Sequence, residues 1–174
     1  MTVPAKGPAL EVDVDPVWGD SPGPPFRDWD DWATVTAAAA AAEVPSIAHP
    51  NVLVSLVLGD DAEVHALNKE WRDRDKPTNV LSFPMLDADE LANIGDGIPT
   101  MLGDIVMAHG ICEREALEKS VALANHATHL LVHGLLHLAG YDHETSDADA
   151  EEMEALEVRI LARLCIADPY GDRE

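Results

Sequence analysis

The sequence predicts one layered α+β domain, a mixed sheet of about four strands packed by helices, with a buried, histidine-bearing helix at its centre. Three observations lead there. Four short runs, residues 10–14, 51–58, 80–83 and 103–107, are apolar or alternate apolar with polar, as strands do. Helical patterns lie between them and then fill the last third of the chain, an order typical of layered α+β domains. Residues 121–141 contain no charged side chain, and a helix apolar nearly all round belongs in the interior.

Taken in order, residues 1–9 read as a disordered lead, and residues 10–170 as a single domain. Residues 10–14 alternate apolar and charged, as a half-buried edge strand does. The stretch from Pro16 to Pro25 is rich in proline and glycine and reads as a loop. Trp29 and Trp32 precede an alanine run, residues 37–42, that is helical by propensity. Residues 51–58 are apolar enough for a central strand. Asp60 or Asp61 caps the helix that follows, to about Trp71. Pro77 breaks the chain, residues 80–83 form a short strand ended by Pro84, and residues 87–100 read as an acidic loop. A strand at 103–107 leads into helices at about 109–118, 121–139 and 147–164. Ser146 with Asp149 approximates a capping box at the last of these. Strand order does not follow from this pattern.

Chemistry concentrates on the central helix. His133 and His137 are four residues apart, hence on one helical face, one turn apart. Gly140 stands where the helix stops, and glycine accepts a left-handed C-cap without steric cost. The turn brings His143 back toward the same point. Three imidazoles with water in the fourth position make the open site of a catalytic zinc, not the closed site of a structural one. His126 and His129 continue the stripe upstream. They either serve the site, from behind the ligands or facing substrate, or are plain core packing. The spacing His-x3-His-x2-Gly-x2-His is zincin-like, that of metzincin proteases, but those carry glutamate after the first histidine as general base. Here that position is Gly134. The site must depend on the metal lowering the pKa of its water to about 7, or on a base from elsewhere.

Composition bounds the setting. The chain has 174 residues, 47% of them hydrophobic, enough for one domain with a sizeable core. Cys112 and Cys165 are far apart and suggest no disulfide framework, and the N-terminus lacks the apolar core of a signal peptide. A cytoplasmic location is the expectation. The net charge of −22 argues on its sum against nucleic acid. Its distribution qualifies that: Lys69, Arg72, Arg74 and Lys76 put four of eleven basic residues into eight positions. From Asp142 to Glu157 eight acidic residues occur with no lysine or arginine between them. That run reads as a solvated helix face.

Three motifs together resemble the YbeY family of bacterial endoribonucleases, the rRNA maturation factors. The first is His133-Gly-x-Leu-His137-Leu-x-Gly140-Tyr141-Asp142-His143. The second is Trp71-Arg72-x-x-Asp75-Lys76-Pro77-Thr78-Asn79-Val80-Leu81-Ser82-Phe83-Pro84, and the third Leu102-Gly103-Asp104-Ile105-Val106. The resemblance spans roughly residues 52–170. It implies a metal-dependent, single-strand-specific endoribonuclease acting in small-subunit rRNA maturation and ribosome quality control. It further implies one Zn2+ or another divalent ion on His133, His137 and His143, with Arg72 as the functional arginine beside it. Its partners would be an rRNA precursor and the small ribosomal subunit with its proteins, with no membrane and no DNA. A guanidinium can clamp phosphate oxygens bidentately as charge builds, so an arginine beside a three-histidine site suits phosphodiester chemistry. The competing reading of Arg72 is a surface ion pair with Asp73 or Asp75. Arg74 and Lys76 read as charges lining the substrate groove, and Thr78-Asn79 as a turn. His129 and Asp104 are candidates to orient a ligand histidine from behind, although strand hydrogen bonding explains Asp104 equally well. Two other functions stay open: a non-catalytic ribosome-binding metalloprotein and a metallopeptidase.

Overall fold

A computed structural model describes residues 8–49, 51–94, 99–141 and 146–170. Its core is a four-stranded mixed sheet of β1 (Ala9–Val14), β2 (Val52–Gly59), β3 (Val80–Pro84) and β4 (Thr100–Ala108), in the order β1-β2-β4-β3. The β1/β2 and β2/β4 pairs are parallel and β3 runs antiparallel to β4. The alternating segment is therefore an edge strand, as its pattern predicts, and the apolar β2 is central. β1 starts at Ala9, inside the stretch read as a lead; residues 1–7 lie outside the described residues.

Six α-helices are described, α1 (Trp29–Glu43), α2 (Asp61–Arg72), α3 (Ala88–Ala92), α4 (His109–Glu118), α5 (Leu123–Leu138) and α6 (Asp147–Arg163), with short 3-10 turns at Pro16–Trp18 and Pro45–Ile47. α3 corrects the reading of residues 87–100 as loop throughout. Asp87 accepts from the Glu90 amide and Glu90 from the Asp87 amide, a capping box that nucleates a single short helix despite the glycines and proline beyond it. At α2 the cap is Asp60, and at α6 Ser146 accepts from the Asp149 amide. Cys165 lies past the end of α6.

Strand alternation sorts the two faces of the sheet. Val54, Leu56 and Leu58 of β2 and Ile105 and Met107 of β4 are buried with α1, α5 and α6 in the main core. Val106 and Leu81 join Val64 of α2 in a smaller cluster on the other face. Indole Nε1 of Trp32 donates to Thr128 Oγ1 at 2.8 Å, locking α1 to α5. A Cβ on Gly134 would stand 3.0 Å from Ile105 Cδ1. The glycine lets α5 lie close against β4, and α5 thereby carries its histidine stripe past the edge strand β3. Gly140 has φ 103°, the left-handed stop expected after α5.

Candidate metal centre

Three histidines of α5, His126, His129 and His133, meet carboxylates from neighbouring helices. His126 Nε2 lies 2.8 Å from Glu115 Oε1 of α4, which also accepts from Asn79 Nδ2 at 3.0 Å. Burial lowers the His126 pKa more than this carboxylate raises it, which favours the neutral ring. One turn on, Glu157 of α6 faces both His129 Nε2, at 3.2 Å, and His133 Nδ1, at 2.9 Å. Tyr170 donates its hydroxyl to the other oxygen of Glu157 at 2.8 Å. Burial would raise the Glu157 pKa, but the hydrogen bonds from His129 and His133 outweigh it and hold the carboxyl at about 2. Glu157 is thus an ionised carboxylate, 1% exposed, accepting from three donors.

That arrangement determines the state of His133. A proton on Nδ1, donated to Glu157, makes Nε2 the nitrogen that carries the ligating lone pair. His137 Nε2 lies 3.1 Å from this nitrogen, with the rings nearly perpendicular at 76°. Two imidazole nitrogens bound to one tetrahedral zinc stand about 3.3 Å apart. The pair fits a divalent cation, and the buried carboxylate behind His133 is the usual support of a metal-ligating histidine. His143, the third expected ligand, lies outside the described residues. Among the described residues no group of three histidine, cysteine or acidic side chains converges.

His133, Gly134 and His137 line a cavity of about 360 Å³ together with Arg72, Arg74, Lys76 and the chain from Pro77 to Ser82. Arg72 ends α2, and Asp73 turns the chain in the left-handed conformation, φ 55°. Asn68, buried in α2, then ties the loop down: its side-chain amide donates to Lys76 O at 2.9 Å, and its carbonyl accepts from the Arg74 amide. The Asp75 carboxylate is engaged by His65 at 2.8 Å and Lys69 at 3.9 Å. Three cations and two metal-competent imidazoles therefore share one opening in a chain of net charge −22.

Two expectations need correction. Asp104 is not brought to the histidines. Its neighbour Ile105 faces Gly134, so alternation turns Asp104 to the opposite face, beside Val57, Leu67 and Trp71. The acidic run before α6 and along it is not all solvated: Glu157 is buried at the site. The signal for it was present, since Met153, Leu156, Glu157, Ile160 and Leu161 form one stripe at helical spacing, and all five are buried. Glu115, Asn68 and Tyr170 carried no comparable signal.

The family profile described as Endoribonuclease YbeY matches residues 27–165. Endoribonuclease YbeY of Novosphingobium aromaticivorans is 61% identical over 168 residues, covering 95% of this chain and 98% of the relative. The proteins of the same name from Erythrobacter litoralis and Sphingopyxis alaskensis are 58% and 54% identical, covering 85% and 88% of this chain and 96% and 95% of the relatives. A solution structure of a Thermotoga maritima protein shares the fold, with TM-score 0.54 and 23% identity over 90% of this chain and 91% of that one.

Proposed function

The chain belongs to the YbeY family of endoribonucleases, and from that premise we propose that it cuts single-stranded precursor rRNA at a divalent ion held by His133, His137 and His143. Its substrate class is RNA and its reaction a phosphodiester cleavage. The finer reading is that the ion is Zn2+, that the substrate is the small-subunit rRNA precursor, and that the small ribosomal subunit with its proteins delivers it in the cytoplasm. No helix among the described residues is long and apolar enough to cross a membrane. The catalytic unit is the domain from residue 10 to residue 170.

One observation carries this reading: His133 and His137 open into the same cavity as Arg72, Arg74 and Lys76. A bound divalent ion supplies Lewis acidity and a water acidic enough to react near neutral pH. The remaining work falls to side chains. Glu157 holds the His133 proton on Nδ1 and so keeps Nε2 available as a ligand. Arg72 clamps the scissile phosphate through its planar fork and balances charge as it grows. Arg74 and Lys76 hold neighbouring phosphates and place the strand. Gly134 disfavours the peptidase alternative, because Ile105 occupies the space a glutamate there would need.

The test is cleavage by metal-loaded and chelator-treated protein of a single-stranded RNA and of casein. Metal-dependent cleavage of RNA alone is expected. Cleavage of casein but not RNA overturns the proposal.

A further inference from the structure

A second cavity, of about 450 Å³, lies on the other face of the sheet. It is lined by Val57, Leu67, Trp71, Phe83, Pro84, Met85, Asp104 and Val106. Trp71 is 67% exposed and Met85 53%. Large apolar side chains left in water mark a binding surface when they cluster. Trp71 and Met85 belong neither to the metal centre nor to the core, while Val106, Val57, Leu67 and Phe83 back the cavity from the smaller core cluster. The other three tryptophans, Trp18, Trp29 and Trp32, are each at most 4% exposed.

The two cavities flank the same two short pieces of chain. Trp71 lines the second and Arg72 the first; Phe83 lines the second and Ser82 the first. Successive residues stand 3.8 Å apart, and successive strand side chains face opposite sides. A strand held by Arg72 can continue toward Trp71 around the outer edge of β3, which pairs with β4 on its other side. Its phosphates would meet Arg72, Arg74, Lys76 and Lys69. In an acidic chain, this is where a polyanion is attracted. An indole beside a backbone-tracking basic cluster is the usual platform for an unpaired base. The charged group among the described lining residues is Asp104, a carboxylate that accepts hydrogen bonds from base N–H groups.

We propose that this cavity is a nucleobase subsite, in which a base of the RNA flanking the scissile phosphate stacks on Trp71 while Asp104 accepts from its N–H groups. Guanine, with adjacent ring and exocyclic N–H donors, pairs with a carboxylate through two bonds, and uracil offers one. The site therefore selects guanine over uracil. The inference rests on the nuclease reading for its substrate. Its test is arranged to fail separately, because base stacking needs no metal.

The experiment titrates full-length protein in chelator with short single-stranded RNAs, an oligouridine and the same strand with one guanine. Binding is followed both by tryptophan emission and by anisotropy of a labelled RNA. Emission of the exposed indole falls on binding, and the guanine strand binds more tightly. Trp71→Ala weakens binding about tenfold, within the range of one base stack, without changing the melting temperature. Trp71→Phe retains most of the affinity, and Asp104→Asn removes the guanine preference. RNA binding by anisotropy with unchanged emission overturns the subsite. So does full affinity in Trp71→Ala, including the case in which that variant loses only association with ribosomal protein. Quenching by RNA in a protein that cleaves none leaves the subsite standing and removes the catalytic reading alone.

Discussion

His133 is held from both ends: Nδ1 lies 2.9 Å from the buried carboxylate of Glu157, and Nε2 lies 3.1 Å from His137 Nε2. The carboxylate sets the tautomer and the neighbouring ring sets where the lone pair points. Replacing Glu157 with glutamine keeps the shape but removes the charge that orients the ring. Glu157→Gln is expected to weaken metal affinity about 10- to 100-fold, measured by competition with a chelating dye. Unchanged affinity contradicts the role given to this carboxylate.

The same group makes a prediction about acid stability. The Glu157 pKa is about 2 in the fold against an ordinary value of 4.5. The unfolded chain therefore binds the proton first as pH falls. The stabilisation from this group is complete above pH 4.5 and is lost as pH drops from 4.5 toward 2. Its size is on the order of 3 kcal/mol at 1.4 kcal/mol per unit. Metal-free Glu157→Gln is expected to show a shallower loss of stability across that window, read from urea melts at successive pH. Parallel curves for the two proteins count against a buried ionised Glu157.

Metal binding and turnover separate by residue. His133→Ala should lose ion and activity together. Arg72→Ala should keep the ion and lose turnover about 100- to 1,000-fold, as when one donor to developing charge is removed. Elemental analysis beside single-turnover cleavage distinguishes them. A fully active Arg72→Ala removes its assigned role.

Gly134 links the site to the core. A side chain there would press on Ile105, with its Cβ 3.0 Å from Cδ1 and 3.3 Å from Cγ1 and Cγ2. Gly134→Glu, which restores the protease-like pattern, adds a buried charge to that clash. It is expected to cost about 3 kcal/mol or more in unfolding free energy and to gain no peptidase activity. A variant as stable as the parent in urea would falsify the tight packing of α5 on β4.

How much of this was legible depended on whether the signal was periodic. Residues 51–58 read as a central strand because all but Asn51 and Ser55 are apolar. The His133/His137 pair could be placed because a four-residue step has one meaning on a helix. Gly140 marked the stop because only its backbone accepts φ 103° freely. Asp104 was misjudged although the information was present: with Ile105 and Met107 facing the core, alternation alone turns Asp104 away. Glu157 was hidden by composition, one carboxylate in an acidic run, although its helical step placed it on the buried stripe. Sheet order, the Glu115–His126 contact and the Asn68 brace on the loop to Lys76 depend on long-range packing that no local pattern encodes.

The central claim is that one ion on the histidine pair and its third partner drives cleavage. The direct measurement is the rate of single-stranded RNA cleavage as bound metal is raised from zero to one ion per chain. The account predicts a rate that starts at zero and rises in proportion, levelling off at one ion. Cleavage by metal-free protein, or a rate indifferent to occupancy, would contradict it.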